Sequence, residues 1–129
     1  MTDTIASGTF DVSMTPASGA DAVVARMTLT KTFHGDLKAT SSGEMLAVRT
    51  PTAGSAGYVA IEHVVGTLAG HHGSFALQHS GTMTRGVPVL SVTVVPDSGT
   101  GELQGLVGAM TIDIVDGQHR YGFTYTLPR

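Results

Sequence analysis

No window of 11 or more residues in this chain carries a helical hydrophobic period free of Gly or Pro. The 17 glycines are spread along the whole length, and Val and Thr dominate the segments between them. That is the texture of many short strands joined by tight turns. A short helix over 17–25 is conceivable, but Pro16 and Ser18-Gly19 read better as a loop.

Alternation predicts strands over 5–14, 24–33, 37–48, 57–66, 74–81, 89–95, 107–115 and 119–127. The first sets Phe10, Val12 and Met14 against Asp11 and Ser13. The second sets Met27, Leu29 and Phe33 against Arg26, Thr28, Thr30 and Thr32. The last two form the best-determined hairpin, because Asp116-Gly117 is a type I′ turn signal. A two-residue loop there puts Asp113 opposite Arg120, Ile112 opposite Tyr121, Met110 opposite Phe123 and Gly108 opposite Tyr125. One face then reads Met110, Ile112, Ile114, His119, Tyr121, Phe123, Tyr125, and a slip of one residue would turn every side chain over. Gly108 opposite Tyr125 leaves room for a ring or a ligand.

Strands in sequence with no helix to cover an edge should close on themselves, which removes unpaired edges. The expectation is an all-β, eight-stranded antiparallel closed β-barrel in a single domain over 1–129. A lumen of that size is filled by side chains or holds one small ligand. The chain has no Cys, which excludes thiolate chemistry and Cys-based zinc sites. Net charge is −3 with no basic run, so no nucleic-acid partner is expected. Met1–Thr4 opens no signal-peptide pattern and no apolar stretch approaches bilayer length, so a cytoplasmic protein with no membrane partner is expected. Charged residues make up 13% of the chain, about half the usual share. With apolar alternation on both faces of several strands, that predicts a homo-oligomer.

Val94-Val95-Pro96-Asp97-Ser98-Gly99-Thr100-Gly101-Glu102-Leu103-Gln104-Gly105-Leu106-Val107-Gly108 resembles a Gly-Thr-Gly stretch of the allene oxide cyclase-like barrels, which include dirigent proteins. Together with Phe33–Leu37, Gly43-Glu44-Met45, Gly54–Ala60 and Leu77–Gly81, the chain is similar to an uncharacterised family of small bacterial barrels of that fold. The resemblance implies an eight-stranded, commonly oligomeric barrel and no particular activity. The cyclase's catalytic pattern is not visible, so no catalytic residue carries over. The Gly-rich 99–108 stretch lacks a Lys and a following helix, so it reads as a barrel corner rather than a phosphate cradle.

Three ionisable residues are the catalytic candidates. Glu62 lies in an otherwise almost uncharged strand; facing inward it would be desolvated, with its pKa raised toward acid–base use. Its companions Tyr58, Ala60 and Val64 are less apolar than Val59, Ile61, His63 and Val65 opposite, so outward is an open alternative. His79 alternates with Phe75, Leu77 and Met83. If the 69–73 loop is even in length, Glu62 pairs directly with His79; if odd, His63 does and Glu62 meets Ser80. Glu44 is the third, close enough to Glu62 in a plausible register for the two to share a proton. Tyr58, Gln78, Phe123 and Tyr125 are the ligand-binding candidates, as walls and polar handles of an apolar pocket. The six His show no metal-ligand spacing, so no metal or cofactor is expected. The reading is a barrel that binds a small, mostly apolar molecule, as a cofactor-free isomerase or cyclase; the alternative is a structural or carrier oligomer with a filled core.

Overall fold

A computed structural model describes residues 3–128; Met1, Thr2 and Arg129 lie outside it. Nine strands form: β1 (Thr4–Pro16), β2 (Ala25–Gly35), β3 (Leu37–Arg49), β4 (Ala56–Leu68), β5 (His71–Thr84), β6 (Val87–Val94), the two-residue β7 (Thr100–Gly101), β8 (Val107–Val115) and β9 (Gln118–Thr126). The antiparallel ladder runs β4-β3-β2-β1-β9-β8-β6-β5, and a further β4–β5 pairing closes it into a barrel of eight strands, with β7 laid against β5. Residues 17–24 form a loop, and no helix long and apolar enough to cross a membrane occurs among the described residues.

Turn chemistry sets the connections. Ala69-Gly70, Arg85-Gly86 and Asp116-Gly117 each place two consecutive residues at positive φ, from 46° to 89°. That backbone matches the twist of the flanking strands in two-residue hairpins. The final hairpin has the expected register, with Asp113 opposite Arg120 and Ile112 opposite Tyr121. The β4–β5 hairpin differs from expectation. Its loop is Ala69-Gly70, and His71-His72-Gly73 belong to β5, with Leu68 opposite His71. A non-Gly residue at positive φ is uncommon, so Ala69 gave no turn signal. Glu102 Oε1 accepts the His72 backbone N–H at 2.8 Å and draws this strand end toward the 95–106 segment.

One half of the bore is packed shut. Phe75 and Phe123 stack 5.9 Å apart, and Phe123 and Tyr125 lie 5.3 Å apart. Leu37, Leu68, Leu103 and Leu106 close the end below them, the last two from the Gly-rich stretch, which acts as a plug. Gly108 leaves no space for a ligand: a Cβ there would meet the Phe123 ring at 2.9 Å. Tyr121 locks the layer above, its hydroxyl accepting the Leu37 N–H at 2.9 Å and donating to the His34 carbonyl at 2.8 Å.

The other half is open. Inward-facing Met27, Met45 and Tyr58 are half-buried there, and Met14 and Leu90 are exposed. Among the described residues, β6 and β8 are paired only at Val92–Met110 and Thr93–Ala109, whereas β1 and β9 are paired as far as Phe10–His119, next to the start of β9. At this end β8 therefore stands clear of β6, while β9 stays paired with β1 to within one residue of its start.

Candidate functional site

Where the packed half meets the open half, four polar side chains converge inside the barrel. Period-2 alternation puts Tyr58, Ala60, Glu62 and Val64 inward on β4, leaving Val59, Ile61, His63 and Val65 outward. Glu62 is fully buried and His79 is 5% exposed. They are not direct partners: Glu62 faces Leu77 and His79 faces Ala60. The two sit diagonally across the ladder on one face, within reach of long side chains. Neither parity of a 69–73 loop describes this register, because the loop itself is two residues long.

Glu62 is held at both oxygens. Oε2 accepts from Lys31 Nζ at 2.8 Å and from His79 Nε2 at 2.6 Å, and Oε1 accepts from Ser41 Oγ at 2.9 Å. Lys31 Nζ lies 4.8 Å from the Phe10 ring centroid and 5.8 Å from that of Phe33. These contacts reverse the expected electrostatics. Burial alone pushes the Glu62 carboxyl up, but the His79 hydrogen bond and the charge and hydrogen bond of Lys31 hold it below the ordinary carboxylate value. Glu62 is an anion in place, not a proton shuttle poised near neutrality.

An ionised carboxylate only accepts, so His79 carries its proton on Nε2 and, when neutral, its lone pair on Nδ1. Nδ1 has no hydrogen-bond partner among the described residues, and no buried polar side-chain atom among them is left unpaired. Nδ1 therefore keeps some accessible surface.

Tyr58 lies on the open side. Its ring covers Gly81, where a Cβ would meet Cε1 at 2.4 Å, and burial raises its phenol above the ordinary value. Phe123 and Tyr125 are in the packed half, stacked on each other rather than lining an opening.

Two expected lumen residues lie elsewhere. Glu44 is opposite Ile61, outside the barrel, where Arg26 Nη1 donates to its Oε1 at 2.6 Å. It lies beside Glu62 in the ladder yet on the other face of the sheet, so the two carboxylates share no proton. Gln78 is likewise outward and exposed. Both line a groove of about 820 Å³ on the outer wall, with Leu46, Val59, Ile61 and His63. The apolar character of those outward residues made them look like the inner set.

Lys31 and Ser41 went unnoticed as site residues, although alternation places Lys31 with Met27, Leu29 and Phe33 on the apolar side of its strand. That position was the available signal. Among the described residues, no group of three or more His, Cys, Asp or Glu could hold a metal ion.

Comparison with known proteins adds kinship without an activity. Residues 6–125 match a family described as a protein of unknown function (DUF3224). The crystal structure of a protein of unknown function from that family, from Shewanella oneidensis, is 51% identical and covers 99% of each chain with a TM-score of 0.93. No curated protein matches the chain.

Proposed function

The chain belongs to the DUF3224 family, whose function is unknown, and we propose that its barrel binds a small apolar molecule over the Lys31–Glu62–His79–Ser41 cluster and moves a proton at His79. The observation that carries this is the buried Glu62–His79 contact with Nδ1 left free. Glu62, itself held by Ser41, orients the ring, and the carboxylate stabilises the imidazolium that forms when Nδ1 takes a proton. Lys31 and Glu62 cancel each other's charge, so the cluster favours a neutral ligand over an ion that would enter without a counter-charge. Lys31 uses one N–H on Glu62, which leaves it able to polarise an acceptor oxygen. An apolar ketone or enone fits that pattern, and proton movement beside its carbonyl is isomerase chemistry. Tyr58 and the methionines of the open half supply adaptable apolar walls.

The test is hydrogen–deuterium exchange at the carbons beside the carbonyl of simple cyclic ketones and enones in D2O, followed by NMR. The native chain should accelerate it, and His79→Gln should lower the acceleration about 100-fold, the lower range for one positioned base. Equal exchange by a folded His79→Gln protein would remove the histidine from the reaction.

A second reading has its own support. The outer wall of β3 and β4 exposes Leu46, Val59, Ile61 and Val65, and a wall of this kind suits self-association. On this reading the chain is a structural or carrier oligomer. Sedimentation at micromolar concentration should find an assembly, and Ile61→Asp should shift it toward monomer; a native chain that sediments as a monomer would count against association.

A further inference from the structure

We infer that the seam between β6 and β8 is a gate to the lumen, closed when β8 zips onto β6. The inference rests on the lumen reading above, as control of access to that site. β6 is paired with β5 from Val94 to Val87, and β8 with β9 from Val107 to Val115. Both strands are thus built well past Val92–Met110, where their own pairing stops. Beyond it each presents a row of unpaired backbone groups to the other, an arrangement that sheets normally cover.

Extending the observed register fixes what would meet. Ser91 would face Thr111, Leu90 would face Ile112, Val89 would face Asp113 and Pro88 would face Ile114. Leu90, Ile112 and Ile114 all belong to the inner face. Leu90 is 40% exposed and Ile114 67%, whereas Val92 and Met110 in the last paired step are 2% and 4%. Zipping buries the first three as the paired step already buries the last two, so the pleat and the hydrophobic pattern agree on the closed register.

Closure would swing β8 and the turn about a β9 that stays anchored, since β1 pairs with β9 as far as Phe10–His119. Only Gln118 and the Asp116-Gly117 turn lie beyond that step, beside a slot of about 430 Å³ that they line with Phe10 and Val12. Pro88 keeps closure reversible, since it has no N–H to add to the new ladder. The seam also opens at the right place: Leu90 faces Gly81, and Val92 faces His79. A ligand passing Leu90 arrives next to the imidazole.

The chain has no Cys, so a disulfide reports the movement cleanly. Two residues bond only when their Cα atoms come within about 4.4–6.8 Å. Under mild oxidation the outward pair V89C/D113C should cross-link, while V87C/T111C, four positions out of register, should not; thiol titration and mass spectrometry read both. Nile red fluorescence then reads the lumen. Uptake should be at least 10-fold slower in oxidised V89C/D113C and recover on reduction. Absence of the V89C/D113C bond, equal bonding by both pairs, or unchanged uptake in the oxidised protein would each overturn the gate. If the bond forms but the reduced protein takes up no dye, seam closure stands and the lumen-binding reading fails.

Discussion

Glu62→Leu should lower the unfolding free energy by about 3–5 kcal/mol, the range for removing one partner of a buried ion pair. The leucine strands the Lys31 ammonium in an apolar layer and takes from His79 the acceptor on Nε2. The rings of Phe10 and Phe33 already lie 4.8 and 5.8 Å from the ammonium in the native chain, so they add no new compensation for the lost carboxylate. Lys31→Met combined with Glu62→Leu should recover most of the loss, because an apolar pair of similar volume can replace a buried ion pair at little cost. Urea unfolding of the two singles and the double measures the coupling; a Glu62→Leu loss under about 1 kcal/mol would mean that the cluster is wetter than its burial indicates. The pH dependence follows with a definite sign. The folded carboxyl titrates below its unfolded value, so its contribution is fully present above about pH 4.3, the ordinary Glu range. It is lost as pH falls through the folded value. The native chain should lose stability over that acid range more steeply than the double variant does.

Gly43→Ala should cost at least about 3 kcal/mol, the top of the usual overpacking range. A Cβ at Gly43 would lie 2.1 Å from the Ile61 carbonyl oxygen and 2.6 Å from Glu62 Cα. Both are backbone atoms of the neighbouring strand and cannot swing away, so β3 and β4 must part where Glu62 turns into the bore. Gly81→Ala meets the Tyr58 ring instead; a side chain can move, so the loss should be smaller and should loosen the open end. Gly19→Ala meets nothing within 4 Å and should stay within about 0.5 kcal/mol, as surface substitutions do. Thermal or urea unfolding should rank the three in that order, and a harmless Gly43→Ala would show that the close approach is not a constraint.

Most of the architecture could be read from residue order because local rules decide it. The Asp116-Gly117 turn fixed its hairpin, and Val107–Val115 forms a strand with the expected bounds. The β4–β5 register could not be read, because Ala69 adopts a backbone that alanine seldom takes. The site was half legible. Alternation singled out Glu62 and His79, but whether they share a face turned on the hairpin register, and which face is inner depends on closure. Val59 and Ile61 pointed the wrong way because an outer wall this apolar mimics a core. The sign of the Glu62 shift was out of reach without its partner: Lys31 lies 31 positions away in sequence, and only the staggered ladders of β2, β3 and β4 carry its ammonium to the carboxylate.

The plug of Leu103 and Leu106 has a kinetic consequence. A vessel with a sealed bottom has no through-traffic, so whatever leaves must retrace the path by which it came. On the function proposed above, product and fresh substrate would share one doorway, and turnover would be set by how quickly the cup empties.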